Sequence, residues 1–241
     1  MNHLAAHLAW PRVKALATAN AWALLPIGST EAHGPHLPLN VDVVIAQEVC
    51  RRVGLVHETV EFPAVTYSLT DFAAPFAGTV SVAAETAKAM LVNVIRGIGS
   101  AGFTRICVIN HHLEPAHFKV VHTAATEAGA GAAFRVVVPD HRRKPTGPLL
   151  GDEFMHGGSH AGSYETSLML AAAPHLVNDE ARRALPSLNI DLPGAIKGGA
   201  TNFLEAGGPD AYFGAPADAS ADEGQRLFEI ITRATLDAMN G

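Results

Sequence analysis

Trp22-Ala-Leu-Leu-Pro-Ile27-Gly28-Ser-Thr-Glu31-Ala-His33-Gly-Pro-His36-Leu-Pro-Leu-Asn-Val-Asp42 is the stretch whose reading decides the fold. Trp22 to Ile27 is a compact apolar run that suits a buried strand. The polar, Gly- and Pro-interrupted stretch from Gly28 to Val41 reads as a loop. After it, Val43, Val44, Ile45, Ala46 and Val49 recur at helical spacing, so Asp42 is expected to N-cap a helix through Arg52. Strand, polar loop and helix in that order form the unit of a parallel sheet, and the loop at the carboxyl end of such a strand is where ligands bind.

Working outward, the unit recurs. A helix is expected over Pro11 to Ala19, a strand near Thr59 to Val65, and a helix from Ala83 to Ile98 that leads into a strand from Thr104 to Asn110. Loop His111 to Glu114 follows, then a helix from Pro115 toward Gly129 and a strand over Ala133 to Pro139. A helical stretch after His160 runs through Leu170, and Ser220 with Glu223 forms a capping-box signature for a closing helix. The expected fold is α/β, a mostly parallel sheet covered by helices on both faces, within one domain over residues 1–241. Residues 184–219 are irregular and rich in Gly, Pro and Ala, and read as an ordered surface excursion.

Composition narrows the function. The 241 residues are 48% apolar with a formal charge of -6, and no Lys/Arg stripe interleaved with aromatics marks a nucleic-acid partner. Cys50 and Cys107 are too few for a disulfide framework or a cysteine zinc site. Neither a signal-peptide pattern nor a membrane-length apolar run is seen, so a cytoplasmic protein with no membrane partner is expected. Histidine is abundant, 13 in all, and His33, His36, His111, His112 and His160 fall in Gly-, Pro- and acid-rich stretches. That points to metal or acid-base chemistry.

Glu31 and His33, two residues apart in an extended loop, can point the same way, with Asp42 completing a carboxylate-imidazole set. A plain polar loop with Asp42 as a cap is the alternative. Asn110-His111-His112-Leu-Glu114 then offers a second such pair at the end of a second strand. Glu31, His33, Asp42, His112 and Glu114 together supply enough nitrogen and oxygen donors for two ions, and the mixed set suits zinc, manganese or iron better than calcium. His160, in His160-Ala-Gly-Ser-Tyr-Glu165-Thr-Ser, opens a helix, a position that lowers a histidine pKa and suits a proton shuttle; a structural histidine is the alternative. Two other strings are set aside. Gly97-Ile-Gly99-Ser-Ala-Gly102 matches a dinucleotide fingerprint but ends a helix, and Gly157-Gly-Ser159-His-Ala161 lacks the strand a serine elbow needs.

The motifs resemble those of the creatininase, or creatinine amidohydrolase, family. Pro26 to Asp42 resembles its long first signature; Ala77-Gly-Thr-Val-Ser81, Asn110 to Glu114 and His160 to Ser167 follow in the family's order. The resemblance implies an α/β/α sandwich, a homohexamer built as a trimer of dimers, and two divalent ions, with no organic cofactor. Carried over by position, Glu31, Asp42 and His112 would hold one ion and His33, Asp42 and Glu114 the other, with Asp42 bridging. His160, with Glu114, would move the proton during amide cleavage, and His36, Asn110 and Glu165 would orient the ligands. Creatininase closes over its flat substrate with tryptophans that this chain lacks near His156, having only Trp10 and Trp22. A small-molecule amide other than creatinine is expected; the formamide of a pyrimidine nucleotide or a modified peptide are the alternatives within the family, and a catalytically silent metal-binding protein is the distant one.

Overall fold

A computed structural model describes residues 1–157 and 160–241. Among them, β1 (Asn2–Leu4), β2 (Trp22–Ile27), β3 (Thr59–Glu61), β4 (Arg105–Asn110) and β5 (Arg135–Val137) form one sheet in the order β1-β3-β2-β4-β5. Every pairing is parallel. The helices are α1 (Trp10–Thr18), α2 (Val41–Val53), α3 (Ala84–Ser100), α4 (Pro115–Gly129), α5 (Asp152–His156), α6 (Ser163–Ala172), α7 (Asp179–Ala184), α8 (Leu192–Lys197) and α9 (Ala221–Asn240).

The two central strands are buried on both faces, which is why they read as continuous apolar runs. Successive side chains alternate between two cores. Trp22 and Leu24 of β2, with Cys107 and Ile109 of β4, pack under α2, α6 and α9. Ala23, Leu25, Ile27, Ile106 and Val108 pack against α1, α3 and α4. The result is the expected α/β/α sandwich. From β2 the chain goes to β3 on one side and then crosses to β4 on the other, so the order of strands reverses at β2. The crevice between the carboxyl ends of β2 and β4 is therefore the switch point, where open parallel sheets bind ligands.

Several local expectations are corrected. α2 starts at Val41 with Asn40 flanking it, so Asp42 lies inside the first turn and is not the cap. The strand expected from Thr59 to Val65 ends at Glu61, and Val65 returns only as an isolated bridge to Ile27. β5 keeps only Arg135–Val137 of the longer run. Ser220 Oγ accepts a hydrogen bond from Glu223 N at 3.2 Å, but Ser220 N donates to Ser167 Oγ, so half of the capping box forms. α3 stops at Ser100, and Gly102 beyond it takes φ +102°, as a helix terminator does. Ser159 of the serine-elbow string lies outside the described residues. No helix among the described residues is long and apolar enough to cross a membrane.

The excursion at 184–219 builds a small third core, in which Leu192, Phe203, Ala206, Ala211 and Phe213 pack with Ala73 over the strand ends. Buried Arg182 anchors it by donating to the carbonyls of Pro216, Ala217 and Ala219.

α9 lies against α6 at Gly224, where a Cβ would collide with the Ser167 carbonyl and sit 2.8 Å from Ala171 Cβ. Alanine has the better helix propensity by about 1 kcal/mol. A backbone carbonyl cannot yield as a side chain can, and overpacking costs about 1–3 kcal/mol. Gly224→Ala is therefore expected to lower the unfolding free energy by a net of up to about 2 kcal/mol, read as a lower urea midpoint; a higher midpoint would contradict this packing.

Candidate metal centre

Two loops deliver the site from the switch point. The loop after β2 carries Glu31 and His33, the loop after β4 carries His112, and the first turn of α2 brings Asp42 between them. Gly28 permits this approach, since a Cβ there would lie 2.6 Å from Asp42 Cβ. Asp42 Oδ2 accepts hydrogen bonds from Ser29 N at 3.2 Å and Ser29 Oγ at 2.7 Å.

The histidines share one arrangement. His33 Nδ1 lies 3.1 Å from the Glu31 carbonyl, His112 Nε2 lies 2.9 Å from the Leu69 carbonyl, and His160 Nε2 lies 3.0 Å from the Ala32 carbonyl. A carbonyl only accepts, so each of these nitrogens carries the proton and donates. The opposite nitrogen of each ring then turns toward carboxylates. His33 Nε2 is 3.3 Å from Asp42 Oδ1 and 3.6 Å from both Glu31 Oε1 and Glu165 Oε2. His112 Nδ1 is 3.2 Å from Glu31 Oε1 and from Asp42 Oδ2. His160 Nδ1 is 3.7 Å from Glu31 Oε1. His33 Nε2 and Asp42 Oδ1 are buried and have no hydrogen-bond partner.

Buried lone pairs that face one another call for a positive charge between them. Donor atoms lie within 4.8 Å of one another in three sets: Glu31, Asp42 and His112; His33, Asp42 and Glu165; and Glu31, His33 and His160. The residues present fit a divalent cation, and Asp42 is common to the first two sets. Without one, burial would lower the His33 imidazole, but Glu165, Asp42 and Glu31 hold it up at about 10. Burial, opposed by His33, carries the Glu165 carboxyl up to about 8.

Glu114, expected beside His33 and Asp42, is placed elsewhere. It flanks α4, and as the chain turns at Pro115 its Oε2 accepts from Phe72 N at 3.3 Å. Burial raises its carboxyl to about 7. The carboxylate brought to His33 is instead Glu165, at the start of α6. His160 has the lowered pKa expected, about 4, but the cause is burial and the neighbouring His33.

His36 and Asn110 shape the loops. His36 Nε2 is 2.8 Å from Thr166 Oγ1, tying the first loop to α6. Asn110 holds both ends of the His112 backbone, donating to its carbonyl and accepting from its N–H. Residues the sequence reading passed over complete this support: buried His117 bridges Asn110 Oδ1 and Ser68 Oγ at 2.9 Å each, and Thr70 Oγ1 donates to Glu31 Oε2. Their only signal was the polar alternation of Ser68-Leu-Thr70 and one histidine inside an apolar helix.

A cavity of about 300 Å³ opens over the cluster. Glu31, Asp42, His112, Glu165 and His160 line it below; Phe72, Phe154, Leu192, Ile196 and Phe203 are its apolar walls, and Glu114 and Lys197 also face it. Neither tryptophan lines it. Arg142 and Arg143, the arginines of a short basic run, both pair with Asp140 at 2.9 Å and lie outside the cavity lining.

An α/β/α protein with a buried histidine–carboxylate cluster at its switch point is the class that fold and site define. The chain belongs to the creatininase family: the family model described as creatinine amidohydrolase matches residues 6–239. It is 31% identical over 217 residues to the mycofactocin precursor peptide peptidase of Mycobacterium tuberculosis strain CDC 1551, covering 85% of this chain and 79% of that protein. It is 30% identical over 187 residues to creatinine amidohydrolase of Pseudomonas putida, covering 71% and 72%. A solved structure described as creatininase Mn superposes with a TM-score of 0.80 at 25% identity, covering 100% of this chain and 98% of that one.

Next to the cluster, buried His141 stacks on His111 at 5.4 Å with its Nε2 unpartnered. Burial lowers its pKa from 6.5 to about 4. Between those values the unfolded chain binds the proton and the folded chain does not, so stability falls as pH drops, by about 1.4 kcal/mol per pH unit for this group. Urea unfolding of wild type and His141→Leu is expected to show a steeper acid loss for wild type below pH 6.5. Parallel losses would contradict a neutral buried imidazole.

Proposed function

We propose that the protein is a dinuclear metal-dependent amidohydrolase that cleaves the C–N bond of an amide other than creatinine. One observation carries this reading: His33 and His112 each spend one ring nitrogen on a backbone carbonyl and aim the other at carboxylates. That is how imidazoles are fixed for metal ligation. Glu31, Asp42 and His112 would hold one ion, and His33, Asp42 and Glu165 the other, with Asp42 shared. Zinc, manganese and iron suit the donor set, and manganese is named for the superposed creatininase.

Bound divalent ions supply a water nucleophile at neutral pH and positive charge for the carbonyl oxygen as it becomes an oxyanion. The residues handle protons and position. Glu114, held at about 7 on the cavity wall, can take a proton near neutrality and release it again. His160, neutral with Nδ1 unprotonated, receives that proton and becomes a strong acid, since burial lowers its pKa to about 4. It then protonates the departing nitrogen, without which an amide anion is too poor a leaving group. Apolar walls limit the water that reaches these groups.

The similarity to a peptide peptidase supports a linear, peptide-like amide within this reading. The nucleotide formamide is less well supported, because Arg142 and Arg143, which could hold a phosphate, pair with Asp140 and lie outside the cavity lining. The reading includes a homo-oligomer, a homohexamer by family resemblance, that works in the cytoplasm.

His160→Ala is expected to retain its metal content and to lose about 10²–10⁴-fold in kcat on an amide. An activated ester, whose leaving group departs without protonation, is expected to lose much less. Equal losses on amide and ester would assign His160 to positioning, and loss of metal would make it a ligand. A metal-loaded wild type that hydrolyses nothing across a panel of cyclic and linear amides would favour a silent metal-binding protein.

A further inference from the structure

We propose that Lys197 recognises a carboxylate, and that the substrate is an N-acyl amino acid or peptide end whose amine portion carries an apolar side chain and a free carboxylate. This deepens the amidohydrolase reading and rests on it. Leu192, Pro193, Ile196 and Lys197 of α8 all line the cavity. Their spacing, one, four and five residues beyond the first, places them on one arc of the helix. Lys197, exposed at the last turn, therefore extends from the same wall that Leu192 and Ile196 make apolar.

The wall continues to the proton donor. Phe203 packs on the His160 ring at 4.3 Å and on Phe72 at 5.8 Å, and shares a core with Leu192 and Ile196. The nitrogen that leaves must lie beside His160, so the amine half of the substrate rests against Phe203 and α8. An apolar side chain matches that surface. At about 300 Å³ the cavity is at the small end of ligand pockets, which suits one residue better than a long chain.

Charge supplies the rest. Lys197 is the one lysine or arginine among the residues lining the cavity, and no ion pair to a carboxylate is formed by it among the described residues. Glu31, Asp42 and Glu165 face the histidines, and Glu114 faces Phe72 N–H. The anion that Lys197 can pair with comes with the ligand. In hydrolysis, the water oxygen bonds to the acyl carbon and the C–N bond breaks; one water proton goes to the nitrogen, which leaves as an amine, and the other passes from the new carboxylic acid to that amine. The products are a carboxylate and an amino acid whose own carboxylate is unchanged, and no further reactant is needed.

The test compares N-acetyl-phenylalanine with its C-terminal amide on the zinc-loaded protein, by calorimetric binding and by hydrolysis. Wild type is expected to bind the free carboxylate about 5- to 30-fold more tightly, between the strength of an exposed ion pair and that of a charged hydrogen bond. Lys197→Met is expected to abolish this preference with zinc content unchanged, and Lys197→Arg to keep it. No preference in wild type, or the same preference in Lys197→Met, as when the carboxylate binds zinc directly, would overturn the proposal. A Lys197-dependent preference without hydrolysis of either compound would uphold the recognition site and count against the amidohydrolase reading.

Discussion

The structure turns on the placement of three protons. Backbone carbonyls of Glu31, Leu69 and Ala32 hold the N–H of His33, His112 and His160, so the lone pair of each ring is aimed inward at carboxylates. In water such an arrangement would be indifferent. In a buried cluster, the unshielded approach of His33 Nε2 to Asp42 Oδ1 at 3.3 Å is unfavourable until a positive charge lies between them. Protons can serve, which is why His33 is held up at about 10 in the absence of a metal. A divalent ion serves better, because one ion satisfies several donors that a single proton cannot.

The rest of the fold maintains that constraint. Reversal of strand order at β2 brings the ends of β2 and β4 together, and Gly28 lets the first turn of α2 press Asp42 into the crevice. Around this a polar scaffold removes freedom: Ser29 on Asp42, Thr70 on Glu31, and Ser68, His117 and Asn110 behind His112. Such supporting hydrogen bonds are what let a ligand set keep its shape when the ion leaves. The excursion at 184–219 adds the substrate side. Its α8 and Phe203 face the cavity, so the segment least regular in structure provides half of the apolar side chains that line it.

Legibility followed physical cause. β2 and β4 were plain because a strand buried on both faces is a continuous apolar run, and the loops after them were plain because carboxylates and imidazoles concentrate there. β1 was missed: Asn2–Leu4 is three residues long, and its place is set by pairing with β3, a partner distant in sequence. Asp42 was read both as a cap, because Asp before an apolar helix usually is one, and as a ligand; the start at Val41 leaves its carboxylate to the cluster. The family resemblance put Glu114 beside His33, yet the turn at Pro115 directs it to Phe72, while Glu165 arrives from a segment over a hundred residues away. Such an approach is a property of packing, as is the role of His117, which in sequence is one more residue of an amphipathic helix.

Membership of the creatininase family accounts for the fold and for a hydrolase site, and relatives named for a peptide and for creatinine show that the family accommodates different amides. Above the cluster, phenylalanines and a lysine on an apolar helix line the cavity, and neither tryptophan does. The claim on which all of this depends is that the inward lone pairs surround cations. Anomalous diffraction from crystals grown with zinc tests it most directly. The account requires two peaks per chain, one within bonding distance of Glu31, Asp42 and His112 and one within bonding distance of His33 and Asp42. A zinc-saturated crystal with no peak beside His33 Nε2, or with that nitrogen bonded to an ordered water, would contradict it.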